Sequence, residues 1–258
     1  MMQIERIGNT TLYCGDALEI LPTLAPGAAE CLLTDPPYSS GGQTLASRQQ
    51  APAEKYVTPS YRAAKHNVNF HGDNKDMHSW MFWSVLWLSQ CYRILPDAAY
   101  AMVFTDWRQL PGTTDVLQAS GFTWRGVVPW DKTQSSRAPH TGYFRHQCEY
   151  IVWGSRNRLN KCPHGGPFPG MFTHRVKPAE KFHMTGKPVG LLKDYLSPVP
   201  AGAVVLDPFM GSGSSGVAAV ETGRGFIGIE MSQHYFDVAC ARIEKAVNSR
   251  RQHAGSID

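Results

Sequence analysis

The chain has little charge, few cysteines and no long apolar run, and each shortage excludes a class of protein. Only 18% of its 258 residues are charged, against 42% hydrophobic, a balance that fits a packed core and excludes a solvated, disordered chain. No stretch approaches the ~20 consecutive apolar residues that a membrane helix needs. The opening residues, Met-Met-Gln-Ile-Glu-Arg, lack the basic and apolar regions of a secretion signal. The six cysteines are scattered at 14, 31, 91, 148, 162 and 240. Several sit within apolar runs, which is use as small core residues in a reducing compartment rather than a disulfide framework. A cytoplasmic protein with no membrane partner is expected. Cys162-Pro163-His164 is the nearest approach to a metal motif, but structural zinc needs four ligands, usually in paired spacings, and no second pair stands out. No metal site is expected. The length fits one domain, 1–258, with a full core.

What charge there is lies unevenly. The net charge is +4, yet residues 131–187 hold ten Lys or Arg against three acids, a local balance of +7 that leaves −3 for the rest. Five of the ten histidines fall there too. A basic stretch of this kind is the footprint of a phosphate-binding surface. Arg137, Arg145, Arg156, Arg158, Lys161, Arg175 and Lys177 are its candidate DNA contacts, and a steep fall of affinity with salt is expected.

Short strands and amphipathic helices alternate, as a doubly wound α/β sheet requires. Strands are predicted at 11–14, 30–34, 98–105, 122–130, 148–153, 204–207 and 225–230, and helices at 17–24, 79–95, 187–196, 217–221 and 232–249. The Trp80, Trp83 and Trp87 stripe reads as core packing. Two motifs stand at strand ends, where ligands bind in open α/β sheets. The first is Asp35-Pro36-Pro37-Tyr38. Two prolines fix φ twice and remove two donors, so a carboxylate, a preset carbonyl and an aromatic ring converge, a set suited to holding a planar ring through its amino group. The second runs Asp207-Pro208-Phe209-Met210-Gly211-Ser212-Gly213 into a helix. Its glycines let backbone approach a ligand and its helix start offers free N–H groups. Glu230, closing the next strand, is placed for both hydroxyls of a ribose.

Asp-Pro-Pro-Tyr followed late in the chain by Asp-Pro-Phe-x-Gly-Ser-Gly resembles the beta class of DNA amino-methyltransferases, in which the catalytic motif precedes the cofactor motif. The resemblance covers most of the chain. It implies a Rossmann-like methyltransferase fold: a mostly parallel seven-stranded sheet, helices on both faces, circularly permuted motif order. It implies S-adenosylmethionine as cofactor and transfer of its methyl to the exocyclic N6 of an adenine flipped out of duplex DNA. Asp35, Pro36, Pro37 and Tyr38 would be catalytic, with Tyr38 stacked on the base. Asp16, Asp35, Lys187, Asp207, Phe209, Gly211, Gly213 and Glu230 would hold the cofactor. Where family members carry His-Pro-x-Gln-Lys-Pro, this chain has His183-Met184-Thr185-Gly186-Lys187-Pro188. A bacterial or phage origin, a homodimer and a cognate restriction endonuclease are all compatible with the family.

Two long segments fall outside the strand–helix pattern. Residues 39–75, rich in Gly, Pro, Gln and Ser, leave Tyr38 directly and are expected to form a mobile loop over the site. Residues 155–182 form a short basic insert where the family keeps its target-recognition region. Three rival functions remain open. N4-methylation of cytosine uses the same amine chemistry, with Ser more often in place of Asp35. Gly211-x-Gly213-x-x-Gly216 with Glu230 also matches the dinucleotide fingerprint of an NAD-dependent oxidoreductase, although only some forty residues follow it. A non-catalytic DNA-binding protein on this fold is the third.

Overall fold

The computed structural model describes residues 3–38, 75–134, 140–159, 165–175 and 186–254. The loop expected over residues 39–75 therefore lies outside the described residues but for Lys75, as do Arg137, Lys161 and Lys177.

Among the described residues the strands form one sheet in the order β1-β2-β9-β8-β3-β4-β6-β5-β7. They are β1 (Gln3–Ile7), β2 (Thr10–Cys14), β3 (Cys31–Thr34), β4 (Tyr100–Thr105), β5 (Thr123–Asp131), β6 (Cys148–Ser155), β7 (Phe172–Thr173), β8 (Val204–Asp207) and β9 (Gly225–Glu230). The seven predicted strands are all present. Two edge strands bring the number to nine: β1 folds back antiparallel on β2 through a turn at Gly8, whose φ is 58°, and β7 adds two residues beside the end of β5. Of the central seven, only β6 runs against its neighbours.

The helices are α1 (Ala17–Ile20), α2 (Met77–Ile94), α3 (Leu110–Ala119), α4 (Val189–Tyr195), α5 (Ser214–Glu221) and α6 (Gln233–Ala254). The first is half its expected length because Pro22 enters a 3-10 turn over Leu21–Thr23, and proline cannot donate to the preceding turn. Helix α2 is capped by Asp76, which accepts from Ser79 N at 3.0 Å, and Pro96 lies just past its end. Helix α3 is one that the sequence pattern hides. Pro111-Gly112 reads as a turn, yet proline fits a first helical turn, and a Cβ on Gly112 would lie 3.5 Å from the Trp80 ring.

Every residue of β3 is buried, and alternate side chains enter two different cores. Cys31 and Leu33 join Phe104, Leu192 and Val217 under α4, α5 and α6; Leu32 joins Trp80, Trp87 and Leu117 under α2 and α3. A strand buried on both faces reads as a continuous apolar run, and cutting one of its leucines to alanine costs about 2–5 kcal/mol.

The connectivity places the site. From β3 the chain steps to β4 on one side, whereas β8 steps to β9 on the other, and β3 and β8 are parallel neighbours. That is a topological switch point, the crevice where open α/β sheets bind ligands. Asp35 and Asp207 stand together at its mouth, although 172 residues separate them in the chain.

Candidate active site

The Asp-Pro-Pro-Tyr segment leaves β3 and is clamped from below. Trp80, fully buried on α2, donates its indole N–H to Pro37 O at 2.8 Å, and Gln109 Nε2 donates to Tyr38 O at 2.7 Å. Both donors are held by packing: Trp80 is 1% exposed and Gln109 3%. Among the described residues no donor reaches Pro36 O.

Above the clamp lies a chain of alternating charges. The Tyr38 hydroxyl donates to Asp35 Oδ1. Lys187 Nζ lies 2.5 Å from Asp35 Oδ2 and 3.3 Å from Glu149 Oε2, and Lys132 Nζ lies 3.0 Å from Glu149 Oε1. The Lys187 ammonium also sits 5.1 Å from the Phe104 ring centroid. Burial disfavours that ammonium, but two carboxylates more than offset it and hold its pKa above the usual lysine range. Glu149 is pushed up by burial and pulled down further by Lys187 and Lys132, ending below the usual carboxylate range. For Asp35 burial outweighs Lys187 and Tyr38, so its carboxyl is raised. Burial, then the charge of Asp35, raises the Tyr38 phenol well above its usual value.

Glu149 and Lys132 are site residues that sequence reasoning missed. They open β6 and follow β5, and since β6 is antiparallel its first residues reach the same sheet edge as the ends of β3 and β8. A Glu followed by an apolar strand carries no short-range signal. Only the strand order reveals it.

The glycine turn is built on Asp207. Its Oδ1 accepts from Thr34 Oγ1 at 2.7 Å and Phe209 N at 3.0 Å, and Oδ2 accepts from Ser215 Oγ at 2.5 Å. Burial raises its pKa to about 6. With those donors engaged, Asp207 fixes the turn and the start of α5. Gly211 and Gly213 take φ of 51° and 79°, a region other residues adopt at a cost. Gly213 and Gly216 also serve packing, since a Cβ on Gly216 would meet Ile243 Cδ1 at 2.5 Å. Phe209 packs on Trp83 and Trp87, with centroids 5.3 and 5.0 Å away.

Glu230 ends β9 with Oε2 accepting from Gly211 N at 3.0 Å and Oε1 from Ser232 N at 2.7 Å. Burial raises its pKa to about 7. A carboxylate has about four acceptor sites, so Glu230 keeps capacity for an incoming hydroxyl. Asp16 caps α1, accepting from Leu18 N at 2.8 Å, one turn beyond Cys14, which pairs with Glu230. The cavity between the two motifs is lined by Asp35, Phe104, Lys187, Asp207, Phe209 and Gly211, among others. Glycine backbone, a half-buried aromatic and a carboxylate with spare acceptor sites form a donor set that fits a nucleoside cofactor. No group of three or more potential metal ligands occurs among the described residues.

The expected basic surface divides. Arg145 is exposed on the β5–β6 connection and donates to Gln134 O at 3.2 Å; Arg175 is exposed just past β7. Both lie at the Asp35 end of the sheet. Arg156 and Arg158 follow β6 at the opposite end, because Ser155 pairs with Tyr100 at the start of β4. Arg156 is taken up there by Leu95 O, by Asp97 at 3.4 Å and by the Tyr92 ring. Thus only part of the predicted basic set shares an edge with Asp35.

Comparison with known proteins agrees with this geometry. Residues 29–241 match the model of the N6/N4 family described as DNA methylase. YubD of Escherichia coli (strain K12) is 29% identical over 245 residues, covering 95% of this chain and 94% of that protein. Type II methyltransferase M2.LlaDCHI of Lactococcus lactis subsp. cremoris is 25% identical, covering 92% and 90%. Among solved structures, the M1.HpyAVI–SAM complex superposes with a TM-score of 0.65 at 20% identity, covering 91% of this chain and 98% of that one.

Proposed function

The chain belongs to the N6/N4 family of DNA methylases, and from that premise we propose that it transfers the methyl of S-adenosylmethionine to N6 of an adenine flipped out of duplex DNA. The observation that carries the reading is the meeting, across the switch point, of Asp35-Pro36-Pro37-Tyr38 with the Asp207 glycine turn and Glu230. Asp35, rather than Ser, at the head of the motif favours adenine over cytosine.

In this reading Glu230 accepts from the ribose hydroxyls, the Gly211–Gly213 backbone follows the cofactor closely, and Phe209 offers a ring face. Asp16 closes the adenine end of the cofactor site, and Asp207 holds the turn in shape. Bound S-adenosylmethionine supplies a methyl already activated by its sulfonium.

The protein's own task is the amine. The exocyclic nitrogen of adenine is a poor nucleophile because its lone pair is delocalised into the ring. Its two N–H groups donate to Asp35 and to the Pro36 carbonyl, which favours a more tetrahedral nitrogen and frees the lone pair. Lys187 holds Asp35 in place and offsets part of the burial that raises its carboxyl; Glu149 holds Lys187. Trp80 and Gln109 fix the two carbonyls beyond Pro36, so the motif is set before substrate arrives. Positioning and electrostatics of this kind act without reorganisation at the moment of reaction. The Tyr38 ring, its hydroxyl tied to Asp35, stacks on the flipped base. The resemblance to Type II methyltransferases supports a modification role beside a restriction endonuclease.

Asp35→Ala tests the assignment. Methyl transfer to DNA should vanish while S-adenosylmethionine binding, measured by equilibrium dialysis, stays within a few-fold of the parent. Near-normal turnover by this variant would refute the role given to Asp35.

A further inference from the structure

Beside the site lies a cluster of aromatic rings that neither core explains. Phe144 is 96% exposed, Tyr143 71% and Trp107 47%. Tyr143 and Phe144 sit on the connection between β5 and β6, and Trp107 on the turn between β4 and α3. The two segments touch: Trp107 stacks on His146 with centroids 5.4 Å apart and planes 18° from parallel. Arg108 lies 4.8 Å from the Trp107 ring. Residues 140–147, His-Thr-Gly-Tyr-Phe-Arg-His-Gln, contain no acid.

The cluster adjoins the Asp-Pro-Pro-Tyr segment. Gln109, two residues past Trp107, donates to Tyr38 O. At the base of the other segment Lys132 N donates to Gln147 O at 3.0 Å, and Glu149 of the charge chain follows directly. Scattered single apolar residues on a surface need no explanation. Three exposed rings on two touching segments beside the Asp-Pro-Pro-Tyr motif, with Arg145 and with Arg108, which also pairs with Asp106 at 3.6 Å, do. Every base has a π-face, so rings interleaved with arginines form a stacking platform for nucleic acid.

We propose that this platform is where the DNA around the target rests: Tyr143 and Phe144 stack on bases left without a neighbour when the target leaves the helix, and Arg108 and Arg145 face the adjoining phosphates. The proposal rests on the DNA methylase reading and extends it by placing the DNA on the β4–α3 and β5–β6 connections, rather than on Arg156 and Arg158 at the far edge. An apolar ring entering a base step is a recognised way to hold an opened duplex.

The test uses the full chain and a duplex of about 30 base pairs with a mismatched adenine at its centre, which lowers the cost of flipping, carrying 5-iododeoxyuridine for thymidine on either side, irradiated and then mapped by peptide mass spectrometry. Cross-links should fall on residues 143–146 or on Trp107. In fluorescence anisotropy with the same duplex, Phe144→Ala should weaken binding roughly ten- to hundred-fold, and Phe144→Trp should restore it. S-adenosylmethionine binding by equilibrium dialysis should not change. Cross-links confined to other segments, with DNA affinity unchanged in Phe144→Ala, would overturn the proposal. So would a Phe144→Ala variant that sediments at half the parent's mass with DNA affinity intact, since the rings would then face a second copy of the chain. Failure of the methylase reading looks different: the parent would transfer no methyl group, whatever the cross-links show.

Discussion

Replacing Glu149 with Gln keeps the shape of the side chain and removes one of the two carboxylates that hold the buried Lys187 ammonium. At 3.3 Å and an effective dielectric of about 20, the Glu149–Lys187 attraction is roughly 5 kcal/mol before desolvation. Breaking one partner of a buried pair costs about 3–5 kcal/mol, and Lys187 retains Asp35, so a net loss of about 2–3 kcal/mol is expected. For a domain of this size that lowers Tm by roughly 5–10 °C, a shift calorimetry resolves. The pH dependence carries the signature. Glu149 is held below its usual pKa, so its contribution is present above the usual glutamate range and lost as pH falls through its folded value. Lys187 is held above its usual pKa, so its contribution is present below the usual lysine range and lost as pH rises through its folded value. The gap between parent and Glu149→Gln should therefore be flat across neutral pH and close at both extremes. Combined with Lys187→Met, the two changes should be non-additive by about 1–3 kcal/mol. A Glu149→Gln variant melting within about 1 °C of the parent, or strict additivity in the double mutant, would refute the charge chain.

Four further outcomes follow from the same geometry. Glu230 is raised to about 7, so the stability it gives the ligand-free protein is present below the usual glutamate range and lost as pH rises through about 7; Glu230→Gln should flatten that slope in denaturant titrations. Ribose hydroxyls donating to Glu230 favour its ionised form, so S-adenosylmethionine binding near pH 6.5 should release protons, seen as a calorimetric enthalpy that depends on the buffer; a buffer-independent enthalpy contradicts the contact. Gly216→Ala places a Cβ 2.5 Å from Ile243 and 2.9 Å from Phe226, overpacking that costs about 1–3 kcal/mol and should appear in the melting temperature. Trp80→Phe removes the indole donor to Pro37 O; single-turnover methyl transfer should slow several-fold with the KM for S-adenosylmethionine unchanged.

Much of this is legible in the sequence. Apolar runs ending in Asp35, Asp207 and Glu230 are local signals, and those strands appear where expected, with α2 close to its predicted bounds and α6 running five residues past its predicted end. The motif order, Asp35 far ahead of the glycine turn, is reconciled by β3 and β8 lying side by side. Other features depend on long-range pairing. Glu149 and Lys132 enter the site only because β6 runs antiparallel, and the same reversal carries Arg156 and Arg158 to the far edge. A basic residue in a basic stretch cannot reveal which end of a sheet it will occupy. Trp80 reads correctly as core, but its hydrogen bond to Pro37 spans 43 residues and leaves no mark in the helical pattern. Asp207 holds its turn through Thr34 and Ser215, an arrangement that spacing alone does not distinguish from a ligand contact.

The central claim is tested most directly by nucleoside mass spectrometry of unmethylated DNA incubated with the protein and S-adenosylmethionine, with Asp35→Ala as the control. N6-methyladenine from the parent and none from the control is the predicted result. N4-methylcytosine in its place would contradict the assignment of adenine, and no methylated base from a protein that still binds S-adenosylmethionine would contradict the proposed reaction itself.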